Sequence, residues 1–170
     1  MDLKTLIRSI PDYPKPGILF RDITTLIENP QGFRQSIEDL AERHRGLGVT
    51  HVAGIEARGF IFAAAVAYRL GAGFVPVRKA GKLCVATDKV SFSNYSGRTQ
   101  DMEMRTPAFA RGTKVLLADQ WVETGGTMDG AIRLVERQGG EVVGLAAVAI
   151  EENEVTNSYR QKYRCVSGVV

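Results

Sequence analysis

The chain has 170 residues, and its 22 Lys and Arg against 19 Asp and Glu give a formal net charge of +3, a surplus too small to indicate nucleic-acid binding by itself. A chain of this length builds its own core, and 44% hydrophobic with 24% charged residues excludes a disordered protein. Two separated cysteines, two histidines and short apolar runs argue against a disulfide framework, a zinc cluster and a membrane span, so we expect a soluble cytoplasmic protein.

The first half of the chain predicts one long helix and then alternating strands and helices. Prolines and a glycine keep residues 11–30 extended or turning. Apolar residues recur at helical spacing from Phe33 to His44, and we interpret both histidines of the chain as surface or helix-face residues. Three elements follow: a short buried strand over His51–Glu56, an Ala-rich helix over Gly59–Leu70 and a strand over Phe74–Lys79.

The second half continues this alternation after an irregular stretch. Residues 80–111 mix Gly, Ser, Thr and charge, which predicts a mobile loop leading into a peripheral hairpin. Three regular elements follow: a strand over Lys114–Asp119, a helix over Thr127–Gln138 and a strand over Val142–Ile150. Strands that are apolar on both faces and alternate with helices predict an α/β fold with a parallel central sheet flanked by helices. Such sheets bind ligands beyond the carboxyl ends of their strands. We therefore expect the chemistry in the loops after Glu56, Lys79, Asp119 and Ile150.

The most informative segment, Val115 to Thr127, reads VLLADQWVETGGT. It places Asp119 at the end of a strand and the sequence TGGT, Thr124–Thr127, at the start of a helix. Paired glycines at a helix N-terminus present backbone N–H groups, and threonine hydroxyls add donors, which is typical of a site for one phosphate. A Walker lysine and a GxGxxG spacing are both missing, which argues against a triphosphate or dinucleotide site. The segment predicts a phosphate cradle beside a carboxylate; the alternative is a turn that merely connects strand to helix.

This pattern of strand, acid, short loop and TGGT resembles the phosphoribosyl-pyrophosphate signature of type I phosphoribosyltransferases. Four further segments narrow the resemblance to the adenine phosphoribosyltransferases of that family: IPDYPKPGILFRDIT (10–24), VAGIEARGFIF (52–62), FVPVRKAGKL (74–83) and LVERQGGEVVG (134–144). They lie in the family's order and cover nearly the whole chain. The resemblance implies a single domain over residues 1–170, with an N-terminal hood of about residues 1–30, a mobile loop and hairpin of about residues 80–111, and a homodimer.

The resemblance implies transfer of ribose 5-phosphate from phosphoribosyl pyrophosphate to a purine base, with adenine as the first expectation. The products would be a nucleoside monophosphate and pyrophosphate, and the pathway purine salvage. Positive charge builds on the sugar and negative charge on the leaving pyrophosphate. The site therefore needs an anion cradle, a carboxylate, nearby cations and a dry slot for the base. We expect Mg²⁺ as a cofactor held mainly by substrate oxygens, and neither nucleic acid nor membrane as a partner.

The resemblance also assigns residues to these tasks. The expected catalytic residues are Asp119, Arg58 and Lys82. The phosphate and ribose would contact Asp119, Gln120, Glu123, Thr124, Gly125, Gly126 and Thr127. The pyrophosphate would lie beside Glu56, Ala57, Arg58, Gly59, Arg78, Lys79 and Lys82. The base would lie against Leu19, Phe20, Arg21, Arg58 and Glu152. For Phe20 the alternative is a core position, and for Arg58 a solvated surface charge.

Three site positions depart from the family pattern. The usual pair of adjacent acids is Asp119-Gln120 here, and Glu123 replaces a small residue. The loop that usually carries glutamate, tyrosine and glycine reads FSNYSG at 92–97, so Tyr95 and Ser96 leave no carboxylate there for acid–base help. Glu152 replaces the apolar residue that usually closes over adenine, and a buried carboxylate is costly unless it is paired. These changes predict an altered or weakened preference for adenine.

Two other functions stay open from the sequence. A non-catalytic protein would keep the phosphate cradle and bind phosphoribosyl pyrophosphate or a nucleotide as a sensor or regulator, and the missing loop carboxylate favours it. A plain structural subunit would leave the TGGT loop and the EARGF segment without a purpose. Ligand binding without turnover would distinguish the sensor from the enzyme.

Overall fold

The strand-forming segments assemble into two sheets in the computed structural model, which describes residues 1–94 and 97–169. In chain order the strands of these residues are β1 (Arg8–Pro11), β2 (Leu19–Asp22), β3 (His51–Ile55), β4 (Gly73–Lys79), β5 (Thr87–Ser93), β6 (Thr99–Arg105), β7 (Lys114–Val122), β8 (Glu141–Ile150) and β9 (Arg164–Ser167). The helices are α1 (Thr24–Glu28), α2 (Pro30–Glu42), α3 (Gly59–Leu70), α4 (Gly126–Arg137) and α5 (Glu154–Lys162), and a 3-10 turn covers Leu3–Leu6. No helix within the described ranges has the length and apolar character needed to cross a bilayer.

The larger sheet has the strand order β5-β6-β4-β3-β7-β8-β9, and β1 pairs with β2 in the smaller one. In the larger sheet β4, β3, β7, β8 and β9 are parallel, and β5 and β6 extend one edge as an antiparallel hairpin. Along β7, Val115 and Leu117 pack into one core and Leu116 and Ala118 into the other, because successive side chains of a strand point to opposite faces. Residues of α4 cover the first face, and residues of α2 and α3 cover the second. The predicted α/β fold with a parallel central sheet flanked by helices is confirmed.

The N-terminal segment contains a short helix, so the prediction that all of residues 11–30 are extended or turning is wrong. The Asp22 carboxylate accepts hydrogen bonds from the Thr24 backbone N–H at 2.9 Å and the Thr24 hydroxyl at 2.6 Å, and it pairs with Arg8. These bonds, those from Thr24 first, lower the pKa of Asp22 to about 2. They give the first backbone N–H of α1 a hydrogen-bond partner, and Leu26 of this helix is fully buried. The bonds from Thr24 to Asp22 and the burial of Leu26 together outweigh the turn-forming residues that precede this helix.

The strand predicted over Lys114–Asp119 continues for three more residues. Pairing between β7 and β8 runs on through Trp121↔Ala149 and Val122↔Ile150. Asp119 therefore projects from within β7 and not from its end. The sequence also left α5 and β9 unassigned. Asn153 begins α5 with a capping box, and β9 then adds a parallel strand beside β8.

His44 is buried, so the prediction of a surface or helix-face position is wrong for this residue. Its Nδ1 lies 2.7 Å from the carbonyl oxygen of Leu40, and its Nε2 lies 3.2 Å from that of Arg164. Burial lowers the pKa of the His44 imidazole. The ring thus joins the end of α2 to β9, a partner 120 residues away in the chain.

Candidate active site

A cavity of about 470 Å³ opens where β7 meets the start of α4, and we call it the base cavity. Leu19, Phe20 and Arg21 line it from the N-terminal side. Across from them lie Arg58 and the segment 119–125 with Thr127 and Met128. The fold therefore brings three sequence-predicted groups, those for phosphate, ribose and base, to the wall of one cavity.

The phosphate loop, Thr124–Thr127, has the predicted position at a helix N-terminus, since α4 begins at Gly126. Gly125 has a φ of +88°, which favours glycine, and its carbonyl accepts a hydrogen bond from the Tyr159 hydroxyl at 3.0 Å. Gly126 packs tightly, because a Cβ built there would lie 2.1 Å from the carbonyl oxygen of Ser93. Every residue of the loop except Gly126 lines the base cavity. A glycine turn at a helix N-terminus is typical of anion-binding sites.

Asp119 is the acid beside this loop. Its Oδ1 accepts a hydrogen bond from the Gln120 backbone N–H at 2.7 Å. Burial raises the pKa of Asp119 to about 7, although the Gln120 N–H and the charge of Arg58 act to lower it. Gly59 makes room for this carboxylate, since a Cβ at residue 59 would lie 2.8 Å from Oδ1. Asp119 is thus held between α3 and the phosphate loop, with a proton affinity well above that of an ordinary aspartate.

Phe20 and Arg58 face each other across the cavity. The guanidinium carbon of Arg58 lies 5.4 Å from the centroid of the Phe20 ring, within the range of a cation–π contact. Tyr13 packs edge-on against Phe20 as well, with ring centroids 5.4 Å apart. Phe20 is half-buried and lines the cavity, so it lies at the site and outside both hydrophobic cores. An aromatic face and a guanidinium are suited to hold a flat base between them.

The residues predicted for pyrophosphate cluster around Glu56 instead of lining the base cavity, with Arg58 as the exception. Glu56 accepts hydrogen bonds from Lys82 Nζ at 2.7 Å, from the Arg78 guanidinium at 3.3 Å and from the Lys79 backbone N–H at 3.0 Å. Burial alone would raise the pKa of Glu56, but the bonds from Lys82 and Arg78 outweigh it and lower the pKa to about 2. Two of the predicted cations therefore share one carboxylate, and the cluster keeps a net positive charge.

The positions that depart from the family pattern have different surroundings. Gln120 lines the base cavity, and its buried Oε1 has no hydrogen-bond partner among the described residues. Glu123 also lines it, and partial burial, with the charge of Glu151, raises the pKa of Glu123. Glu152 does not line this cavity; it lines a neighbouring one. The loop positions Tyr95 and Ser96 lie outside the described residues.

Sequence reasoning gave no site role to six residues of the cavity wall: Pro14, Ile18, Trp121, Val122, Met128 and Glu151. The Trp121 Nε1–H donates a hydrogen bond to Glu151 Oε1 at 3.0 Å. The sequence could have pointed to both Trp121 and Glu151. Trp121 is the single tryptophan of the chain and stands inside the Asp119-to-TGGT segment, and Glu151 directly follows β8 at the carboxyl edge of the sheet. Within the same described ranges, no three His, Cys, Asp or Glu side chains are grouped as metal ligands.

Comparison with known proteins identifies the family. The model of the phosphoribosyl transferase domain matches residues 23–169. The chain belongs to the phosphoribosyltransferase family. It is similar to the adenine phosphoribosyltransferase of Solidesulfovibrio magneticus, with 50% identity over 169 residues, which are 98% of this chain and 97% of that protein. These findings confirm the resemblance drawn from the sequence.

Solved structures of this family have the same fold. The adenine phosphoribosyltransferase of Thermoanaerobacter pseudethanolicus superposes with a TM-score of 0.91 at 38% identity, covering 98% of this chain and 96% of that one. The APRTase of Giardia lamblia complexed with 9-deazaadenine superposes with a TM-score of 0.92 at 32% identity, covering 99% and 95%. The type I phosphoribosyltransferase fold is therefore that of the chain.

Proposed function

We propose that the chain transfers ribose 5-phosphate from phosphoribosyl pyrophosphate to a purine base, with adenine as the preferred base, in purine salvage. One observation carries the proposal: Phe20, Arg58, Asp119 and the phosphate loop line a single cavity. In the reaction a bond forms between the base N9 and the anomeric carbon of the ribose. The bond from that carbon to pyrophosphate oxygen breaks, and the N9 proton is released.

The phosphate loop binds the 5-phosphate, and Asp119 and Gln120 face the ribose. Backbone N–H groups at the start of α4, with the helix dipole behind them, compensate the phosphate charge. The unpaired Oε1 of Gln120 accepts a hydrogen bond from a ribose hydroxyl, so the amide keeps one function of the acid that it replaces. The Asp119 carboxylate stabilises the positive charge that builds on the sugar.

The base lies against Phe20, with the Arg58 guanidinium opposite. Stacking on an aromatic ring is worth about 1–3 kcal/mol per base, so Phe20 supplies much of the base affinity. Leu19 and Arg21 flank this slot on β2, and Glu123 lies directly before the phosphate loop in the chain.

The leaving pyrophosphate takes its counter-charge from Arg58, from Lys79 and from the cluster of Arg78 and Lys82 around Glu56. Mg²⁺ prefers oxygen ligands and commonly bridges substrate phosphates. The carboxylates of Asp119 and Glu123 line the cavity and fit such ligation, and most ligands would come from the pyrophosphate itself. When bound, the ion neutralises charge that develops on the leaving group.

The proposal includes that the chain forms a homodimer in the cytoplasm. One face of α3 exposes Ile61, Ala64 and Tyr68, and Tyr68 is 89% exposed. Phe74 on β4 is also exposed. Apolar side chains at helical spacing on one face fit the contact with a second copy. Light scattering of the wild type and of Tyr68→Asp tests this: we expect a dimer mass and its loss, and a monomeric wild type would contradict the dimer.

Pyrophosphate release with Mg²⁺, phosphoribosyl pyrophosphate and a panel of purine and pyrimidine bases tests the function. We expect release with adenine. Phe20→Ala should raise the KM for adenine by about 5- to 150-fold, since it removes a stacking face, with a much smaller change in the KM for phosphoribosyl pyrophosphate. No pyrophosphate release with any base would refute the proposal. Equal effects of Phe20→Ala on both KM values would refute the role of Phe20.

A further inference from the structure

A buried carboxylate lies in the hairpin of β5 and β6, outside the lining of the base cavity. Glu103 of β6 is 1% exposed. An isolated carboxylate in a protein interior is costly unless it is paired. Its cross-strand neighbour Lys89 is exposed, and the Lys89 Nζ lies 3.7 Å from Glu103 Oε2, an arrangement that compensates little of the charge. The other contacts of Glu103 therefore indicate what this charge does.

Glu103 binds the turn that follows β4, residues 80–83. Its Oε1 accepts hydrogen bonds from the backbone N–H of Lys82 at 2.8 Å and from that of Leu83 at 2.9 Å. Its Oε2 accepts one from the Thr87 hydroxyl at 3.3 Å. Burial acts to raise the pKa of Glu103, but the backbone hydrogen bonds, that from Leu83 first, outweigh it and lower the pKa. The carboxylate is thus ionised, and the turn is its main partner.

The same turn carries a lysine of the cluster around Glu56. The Lys82 Nζ donates a hydrogen bond to Glu56 Oε1 at 2.7 Å, and the Lys82 carbonyl accepts one from the Arg78 guanidinium at 3.1 Å. Gly81 has a φ of +86°, which favours glycine, so the chain reaches Lys82 through a sharp turn. Lys82 is therefore held at its N–H, at its carbonyl and at its ammonium group, each by a different side chain.

The two backbone hydrogen bonds to Glu103 fix the start of the Lys82 side chain. The N–H groups of Lys82 and Leu83 lie on either side of the Lys82 Cα, and both donate to the same oxygen. The Lys82 side chain itself is exposed for about half of its surface, 48%, so its ammonium group is free to turn from Glu56 to an incoming anion. A fixed backbone lowers the conformational entropy that is lost when such a side chain binds its ligand.

We propose that Glu103 is a positioning residue for pyrophosphate binding: its buried carboxylate fixes the turn of residues 80–83, and this places the ammonium group of Lys82 beside the pyrophosphate of the substrate. The inference rests on the proposed function, which assigns Lys82 to that group. Because Glu103 does not line the base cavity, its effect on the substrate passes through Lys82. This dependence on Lys82 distinguishes positioning from a general role in stability.

Calorimetry with phosphoribosyl pyrophosphate and Mg²⁺ tests the inference on Glu103→Gln, because glutamine has nearly the same size and leaves no cavity. A neutral amide is a weaker acceptor than a carboxylate, so the Kd should rise by at least about threefold. Removal of a negative charge would by itself lower the Kd of an anion, so electrostatics and positioning predict opposite signs. Asp101→Asn is the matched control, because it removes an exposed carboxylate from the same strand, and its Kd should stay within about twofold of the wild type.

Two further variants identify the route of the effect. Glu103→Asp keeps the charge and withdraws the oxygens from the turn by one methylene, and it should raise the Kd as well. Lys82→Ala should raise the Kd, and Glu103→Gln added to it should change the Kd less than about twofold, whereas independent sites would add in full. The KM for adenine should change less than about twofold in Glu103→Gln, since uniform weakening of the whole site is not expected.

Four results would overturn the inference. They are a Kd that neither Glu103 variant raises, an unchanged Kd in Lys82→Ala, full additivity of Glu103→Gln with Lys82→Ala, and an equal rise in the KM for adenine. Adenine turnover at saturating phosphoribosyl pyrophosphate reports that each variant is folded. Failure of the proposed function is distinct, because the wild type would then bind phosphoribosyl pyrophosphate without releasing pyrophosphate, and the Kd values would still decide the role of Glu103.

Discussion

Asp119→Asn removes the one carboxylate that is held beside both the phosphate loop and Arg58. Because burial raises the pKa of Asp119 from 3.8 to about 7, the folded protein binds this proton more tightly than the unfolded chain does. The contribution of Asp119 to stability is then greatest below pH 3.8 and is lost as the pH rises through about 7. Asparagine keeps the shape of the side chain and does not titrate.

The size of the effect follows from the two pKa values. The difference between a pKa of 3.8 and one of about 7 corresponds to about 4 kcal/mol in full. Between about pH 5 and pH 8 the wild type should lose about 2.6 kcal/mol of this amount. Asp119 still meets water in the open cavity, so we expect about 2 kcal/mol. Asp119→Asn should therefore be the more stable protein at high pH. It should be the less active one above about pH 7, where the wild-type Asp119 is ionised and compensates the charge on the ribose, and the gap in activity should narrow at lower pH.

Urea unfolding at several pH values measures this difference. The exposed Asp129 of α4, which pairs with Arg133, gives the matched control, and Asp129→Asn should follow the wild-type pH dependence. Other groups titrate equally in all three proteins, so the gap between the curves isolates Asp119. Parallel curves for the wild type and Asp119→Asn would refute the description of Asp119 as a desolvated acid. Undiminished turnover by Asp119→Asn would refute its catalytic role.

Three further predictions concern the surroundings of the site. Glu56→Gln should make the free energy of unfolding less sensitive to acid. The pKa of Glu56 is lowered to about 2, so its contribution is present above pH 4.5, and the wild type should lose about 1–2 kcal/mol more of its unfolding free energy than the variant between about pH 6 and pH 3. Identical acid unfolding of the two proteins would contradict the ion-pair cluster around Glu56. Gly126→Ala should lower the free energy of unfolding by about 1–3 kcal/mol and raise the KM for phosphoribosyl pyrophosphate, because the added Cβ would meet Ser93. An unchanged KM in steady-state assays would contradict this packing. His44→Ala should lower the urea-unfolding free energy by about 2–3 kcal/mol, with turnover at low temperature as the control, and a loss under about 0.5 kcal/mol, typical of surface positions, would contradict its buried role.

The phosphate loop and the parallel sheet were predictable because their signals are local. TGGT follows an apolar strand and its acid after a short loop, and a glycine pair at a helix start is typical of a phosphate site. The alternation of strands and helices likewise predicts the layers without knowledge of distant partners.

Contacts between distant segments were not predictable. Lys82 and Arg78 carry the charges that pyrophosphate needs, but only the fold shows that Glu56 takes both. His44 has an ordinary position on a helix, and its second partner, Arg164, lies on a strand that the pattern left unassigned. The continuation of β7 past Asp119 depends on its pairing with β8, and the residues of β7 alone do not reveal that pairing.

The central claim is catalysis at the base cavity, and product analysis of one reaction tests it most directly. The full chain is mixed with Mg²⁺, phosphoribosyl pyrophosphate and adenine, and AMP and pyrophosphate are both quantified over time. We predict that the two products appear in equal amounts over many turnovers, and that Asp119→Asn slows both. Tight binding of phosphoribosyl pyrophosphate without either product would contradict the claim and identify the chain as a binding protein that has kept the phosphate loop.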